Sequence, residues 1–83
     1  MKSTQRKSKI DLYVIEKVKE KRLALGISQA DLAYELNVSS GFVGMAESPK
    51  YPTKYNIQHL NKLAEILECS PQDFLPHKPL KGV

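Results

Sequence analysis

The side chains with the clearest chemical use lie in one stretch, Ser28–Glu47, with the sequence SQADLAYELNVSSGFVGMAE. This stretch offers serine hydroxyls, a glutamine amide, two glycines and two large apolar side chains, Phe42 and Met45. It contains no lysine or arginine, and its charged residues are all acidic: Asp31, Glu35 and Glu47. Groups of this kind suit recognition by hydrogen bonds and apolar contact, and any positive charge must come from outside the stretch.

Two short helices joined by a tight turn are predicted to position these groups. Ser28 is a plausible N-cap, and Asp31 three residues later completes a capping-box pattern. Apolar residues then recur at helical spacing. Asn37 tolerates the left-handed conformation of a sharp helix exit, and Val38 is an apolar plug in the turn. The apolar positions of this first helix are Ala30, Leu32, Ala33 and Leu36.

The second helix of the pair is expected to be capped by Ser39 and to end at Glu47. Its buried side is marked by Phe42, Val43 and Ala46. A helix, a turn of three or four residues and a second helix is the arrangement that presents the second helix to the DNA major groove.

Three further helices are predicted around this pair. Helix 1 should run from about Leu12 to Leu25, capped by Asp11. Helix 4 should start at the cap Asn56 and end near Leu67 or Glu68. A short helix 5 should begin at Ser70 and end by Pro76. The expected inward residues are Leu12, Val14, Ile15, Val18 and Leu25 in helix 1, Ile57, Leu60, Leu63, Ala64, Ile66 and Leu67 in helix 4, and Phe74 and Leu75 in helix 5.

The 83 residues have room for one small domain, with a net charge of +4. Residues 1–9 are basic and polar and are predicted to form a flexible arm, which either tracks phosphate or enters a minor groove, or is a solvated tail. The domain is expected to span residues 10–76 and a C-terminal tail residues 77–83. From residue 11 onward the nine basic and nine acidic residues balance.

Several function classes find no support in the sequence. No glycine-rich phosphate loop, paired carboxylates or Ser/His/Asp arrangement argues for an enzyme, and no cofactor is implied. His59 has no second ligand at metal-binding spacing. No apolar run is long enough for a membrane span. The lone Cys69 cannot form an internal disulfide and is interpreted as a small buried hydrophobe, so we expect a cytoplasmic protein.

These elements and residues together resemble the Xre/Cro-type helix-turn-helix domain of lambdoid phage repressors and many small bacterial regulators. The resemblance runs from Val18 to Pro76, and its strings are VKEKRLALGISQADLA, ELNVSSGFV and LAEILECSPQDFL. It implies an all-α, compact five-helix, lambda-repressor-like fold with the helix-turn-helix at helices 2 and 3.

The resemblance also implies roles for individual residues. Gln29 matches a glutamine that contacts DNA phosphate, and Ser39 matches a cap that also bonds phosphate. Arg22 and Glu47 match a partly buried ion pair between helices 1 and 3. The groove-facing positions are matched by Ser40, Gly41, Phe42, Gly44 and Met45.

The sequence departs from the family pattern in ways that affect DNA reading. The recognition helix lacks the Arg, Gln and Asn that make bidentate base contacts. Pro49 stands where the family usually has glycine, in a loop whose Lys50 and Lys54 are the expected phosphate contacts. Gly41 and Gly44 cost about 1 kcal/mol each in a helix relative to alanine. They indicate a helix that is loose until bound, a close approach of the backbone to another group, or simple tolerance of glycine in a short surface helix.

The leading hypothesis is a sequence-specific transcriptional regulator that reads the major groove of double-stranded DNA with helix 3. Such domains usually bind as two-fold dimers, and the candidate contact lies in helix 5 and the tail, at Phe74, Leu80 and Val83. The alternative is a protein-interaction module, such as an antitoxin, on the same fold. This alternative is suggested by the lack of lysine and arginine in Ser28–Glu47 and by the apolar Phe42 and Met45.

Overall fold

The structure is a computed structural model that describes residues 7–82. Within that range the chain forms four α-helices and one 3₁₀ helix and contains no strand. The all-α prediction is therefore confirmed. The elements are α1 (Lys9–Ala24), α2 (Gln29–Leu36), α3 (Phe42–Glu47), α4 (Ile57–Ile66) and the 3₁₀ helix (Pro71–Phe74).

Helix α1 begins three residues earlier than predicted because Ser8, not Asp11, is its N-cap. The Asp11 backbone N–H donates to Ser8 Oγ at 3.2 Å, and the Ser8 N–H donates to Asp11 Oδ2 at 2.8 Å. This reciprocal pair is a complete capping box. Residues 7–9 thus belong to the folded unit and not to the predicted arm; residues 1–6 of that arm lie outside the described range.

Helix α2 has the boundaries that its local signals predict. Ser28 accepts the Asp31 N–H at 3.0 Å, which confirms Ser28 as the cap, but the return bond from the Ser28 N–H to the Asp31 carboxylate is not made, so the predicted capping box is incomplete. Asn37 has φ 64° and ψ 45°, the left-handed conformation expected at the helix exit. Val38 packs, partly buried, against the core. Asn37 and Val38 therefore have the roles in the turn to α3 that the sequence predicts.

The core is formed by one face of each helix, with Val18, Leu32, Val43, Leu63 and Phe74 fully buried. Several residues predicted to face inward are exposed instead: Leu12, Leu25, Ala30, Ile57 and Leu75. In α1 the reason is helical phase, since Val14, Ile15, Val18 and Arg22 occupy the inner face. Leu25 lies beyond the last helical turn as the C-cap.

The predicted fifth helix is a single 3₁₀ turn. Ser70 and Asp73 form its capping box and Pro71 takes the first position, as the sequence indicates. The backbone becomes extended at Leu75, so the element has only four residues. Phe74 packs into the core between α1 and α4.

Two smaller predictions concern the rest of the described chain. Asn56 caps α4 as expected, by accepting the His59 N–H at 2.8 Å. Cys69 is partly buried against the core, and this burial raises the pKa of its thiol. No helix of residues 7–82 is long and apolar enough to cross a membrane.

Candidate nucleic-acid interface

A buried ion pair joins the end of α3 to α1. Arg22 Nε donates to Glu47 Oε2 at 2.9 Å, and Arg22 Nη2 donates to Glu47 Oε1 at 2.8 Å. The two side chains are only 7% and 4% exposed. Arg22 Nη1 also donates to the Ile27 carbonyl at 2.8 Å, just before α2. The bidentate pair therefore fixes α3 against both α1 and the start of α2.

Gln29, the predicted phosphate contact, is bound into the same cluster. Its Nε2 donates to Glu47 Oε1 at 2.9 Å. One amide hydrogen of Gln29 is thus used inside the protein, and the other remains available at the exposed start of α2. Glu47 consequently orients a side chain at the surface while it is itself buried.

Gly44 lies under the Gln29 amide. A Cβ added to Gly44 would meet Gln29 Oε1 at 3.2 Å, which is tighter than ordinary contact, whereas a Cβ on Gly41 would meet nothing within 4 Å. The two glycines therefore differ. Gly44 leaves room for the Gln29 side-chain amide, and Gly41 stands in open space.

The start of α3 differs from the prediction. Ser39 does not cap the helix; its carbonyl accepts the Phe42 N–H at 3.0 Å in a turn, and Gly41 takes the N-cap position without a side-chain bond. The helix therefore begins at Phe42, whereas a cap at Ser39 would have placed its first residue at Ser40. Ser39, Ser40 and Gly41 are all exposed and lie together directly before α3.

Phe42 is engaged in an aromatic cluster with two residues outside α3. Its ring lies 5.2 Å from the His59 ring, edge to face, and 6.0 Å from the Tyr55 ring. Burial lowers the pKa of His59 and raises that of Tyr55, whose hydroxyl is buried with no hydrogen-bond partner among the described residues. Met45 is partly exposed on the same helix and is the freer of the two apolar side chains predicted to reach DNA.

The two lysines of the loop after α3 have different surroundings. Lys50 is exposed, and its backbone N–H donates to Ser48 Oγ at 3.2 Å. Lys54 Nζ instead forms an ion pair with Asp11 Oδ2 at 3.2 Å. Partial burial would raise the pKa of Asp11, but the bonds from Ser8 and Lys54 hold it below its ordinary value.

Sequence reasoning missed the contact of Lys7 with α3. The sequence predicts Lys7 only as part of the basic arm, yet its Nζ donates to the carbonyls of Ala46 and Ser48, each at 2.7 Å. No local pattern connects residues 39 positions apart. The sequence offers only an indirect signal: α3 has no basic residue in its last turn, so a cation that binds its terminal carbonyls must come from elsewhere in the chain.

The resulting surface combines polar donors with sparse positive charge. The exposed N-terminus of α2, the second Gln29 hydrogen and the serine hydroxyls before α3 can all bond phosphate or base edges. Among residues 28–50 the single cation is Lys50. No group of His, Cys, Asp and Glu within residues 7–82 is arranged to hold a metal.

Comparison with known proteins identifies the class of domain that this geometry belongs to. The Cro/C1-type HTH DNA-binding domain matches residues 17–79. The chain belongs to this family of DNA-binding transcription regulators. No curated protein sequence matches it.

Two solved restriction-modification controller proteins share the fold. C.AhdI from Aeromonas hydrophila is 25% identical, with a TM-score of 0.65 over 77% of this chain and 94% of its own. A variant of C.Esp1396I is 29% identical, with a TM-score of 0.69 over 82% of this chain and 84% of its own. Both comparisons extend over nearly the whole folded unit.

Hydroxypropylphosphonic acid epoxidase from S. wedmorenis shares the fold as well, at 21% identity and a TM-score of 0.67. The match covers 80% of this chain but only 34% of the epoxidase. The likeness thus concerns a helical portion of a much longer enzyme chain and carries no inference of catalysis.

Proposed function

We propose that this protein is a sequence-specific transcriptional regulator that reads an operator with α3 and the turn before it. The observation that carries the proposal is the Arg22–Glu47–Gln29 cluster, which holds α2 and α3 in one rigid arrangement and leaves a Gln29 donor at the surface. Membership of a DNA-binding family supports it. The controller proteins, which share the fold at 25% and 29% identity, support it further.

Each part of the surface has a distinct task in this proposal. Gln29 and the N-terminus of α2 bind phosphate. Ser40 bonds base edges, and Met45 contacts a thymine methyl group in the major groove. Lys50 neutralises a phosphate beyond α3. Lys54 contributes its charge to the field of the loop while it remains paired with Asp11.

The decisive experiment is a selection from random DNA duplexes, followed by affinity measurements across a salt series. We expect one sequence to be enriched and its binding to weaken steeply with salt. Lys50→Met should lower the slope of log K against log salt by about 0.9, the value for one phosphate contact. Ser40→Ala should instead relax the preferred sequence at one position. Failure to enrich any sequence, with no salt-dependent duplex binding, would refute the proposal.

A homodimer is the assembly that we propose for binding a two-fold operator. Of the predicted contact residues, Phe74 is fully buried inside its own protomer and cannot meet a partner, and Val83 lies outside the described residues. The apolar residues Ile10, Ile57 and Leu75 line an open groove of about 480 Å³ between α1, α4 and the C-terminal segment. Ile57 is 79% exposed. Equilibrium sedimentation should show a dimer that Ile57→Asp weakens, while Glu65→Asp on the same helix leaves it unchanged.

A protein partner is the second candidate, and the exposed Tyr34 favours it, since its side chain is 82% exposed on α2. The same fold supports many functions, so the choice depends on the surface and not on the fold. A partner bound through apolar contacts would show little salt dependence. The salt series therefore separates the two candidates.

A further inference from the structure

The Lys7 side chain reaches the C-terminal end of α3. Its Nζ donates to the Ala46 and Ser48 carbonyls, each at 2.7 Å, and approaches the Met45 carbonyl at 3.4 Å. Lys7 immediately precedes Ser8, the N-cap of α1. One side chain thus connects the start of α1 with the end of the helix that reads DNA in the proposed function.

Helix α3 lacks side chains of its own that cap its ends. It has six residues, no side-chain bond at its N-cap and no basic residue in its own last turn. The last carbonyls of any helix lack intrahelical partners, and the negative end of the helix dipole favours a cation. Lys7 supplies both the donors and the charge, from 39 residues away in sequence.

The same contacts leave Lys7 little capacity to bind DNA. A lysine ammonium has three N–H donors, and three carbonyl oxygens surround this one. Partial burial lowers the pKa of Lys7, while the nearby Asp11 carboxylate raises it. Each of its donors has a carbonyl oxygen within reach, so a phosphate could bond to the ammonium only in place of one of these contacts.

We propose that Lys7 is a positioning residue for DNA reading, which closes the end of α3 and fixes its orientation, and that it is not a phosphate contact. The DNA part of this inference rests on the proposed function. Under this proposal the basic residues 1–9 have two separable tasks. Lys7 holds the recognition helix, and the other cations of residues 1–9 act on DNA by their charge. If Lys7 were instead one phosphate contact among several, its removal would reduce the salt dependence of DNA binding.

The first test compares Lys7→Met with Lys9→Met. Methionine keeps an unbranched stem of similar length. Lys9→Met removes the same charge from a side chain whose ammonium lies beside Gly82 and not at α3, so it should act on DNA binding only through the salt-dependent charge effect. We expect Lys7→Met to weaken duplex binding by about tenfold, the scale of a lost charge-assisted bond, with an unchanged salt slope. Lys7→Arg keeps the charge and donors but has a planar fork in place of a compact ammonium, so it should restore only part of the affinity. A slope reduced by about 0.9 in Lys7→Met would identify a phosphate contact and overturn the proposal.

The second test needs no DNA and therefore separates this inference from the proposed function. Amide hydrogen exchange of the free protein should accelerate by about tenfold at Met45 and Ser48 in Lys7→Met. Val18 in the core of α1 reports global opening and should accelerate less. Equal acceleration at all three amides, or none at α3, would overturn the positioning role. If the wild-type chain bound no duplex, the proposed function would fail, and exchange would still decide the role of Lys7.

Discussion

The two helices of the helix-turn-helix are held by different kinds of interaction. Helix α2 is bounded by its own neighbours in sequence, with Ser28 as the cap and Asn37 in the left-handed conformation. Helix α3 lacks a side-chain cap and is instead held by Arg22, Lys7 and the aromatic ring of His59, all distant in sequence. Helix α2 is therefore specified by its local sequence, while α3, the helix proposed to read DNA, depends on contacts that form only in the assembled fold.

The largest effect should follow removal of the buried ion pair. Arg22→Met leaves the Glu47 carboxylate buried without its charged partner, which should lower the free energy of unfolding by about 3–5 kcal/mol. Denaturation with urea would measure the loss. The double variant Arg22→Met/Glu47→Leu should recover much of it, because no unpaired charge remains. A single variant as stable as wild type would show that α3 does not depend on this pair.

The serines at the two predicted caps give a direct test of the contrast between α2 and α3. Ser28→Ala removes a hydrogen bond to the Asp31 N–H and should cost about 1 kcal/mol. Ser39→Ala removes no cap and should change stability by less than about 0.5 kcal/mol. Thermal melting of the two variants side by side would suffice. Equal losses would mean that α3 is capped locally after all.

A smaller effect is expected at Gly44, where α2 and α3 meet. Alanine should favour a helix by about 1 kcal/mol over glycine, but here its Cβ would press on Gln29 Oε1. Gly44→Ala should therefore gain less stability than this in the wild-type background. In a Gln29→Ala background, where the obstructing amide is gone, the full gain should appear. The same gain in both backgrounds, measured by urea denaturation, would remove the packing explanation for this glycine.

The sequence could predict the fold and the parts of the site that depend on local signals. Ser28, Asn37, Asn56 and Ser70 all act at helix ends as their types indicate. Ser39 is also a residue type that caps helices, but a turn from Ser39 to Phe42 precedes α3 and places Gly41 at the N-cap. Helix capping is a local property, and the position of a turn between two helices is decided by their packing.

The site itself was predictable only where the resemblance supplied the residues. The resemblance matched Arg22 and Glu47 to an ion pair, although the two are 25 positions apart and no local pattern relates them. The contact of Lys7 with α3 had no such guide, and neither did the bond between Gln29 and Glu47. These contacts depend on how α3 packs against both α1 and α2, which is a property of the packed core.

The smallest effect concerns pH and the aromatic support of α3. Burial lowers the pKa of His59 below its ordinary value of about 6.5, so the unfolded chain takes up this proton at a higher pH than the folded one. Stability should be complete above pH 6.5 and fall slightly as the pH drops through the folded pKa. Protonation also removes the Nδ1 acceptor of the Asn56 N–H, at 3.0 Å. Urea midpoints at pH 7.5 and 5.5 should therefore differ more for wild type than for His59→Gln. An equal difference in both proteins would mean that this ring supports α3 by packing alone and that its charge has no effect on the helix.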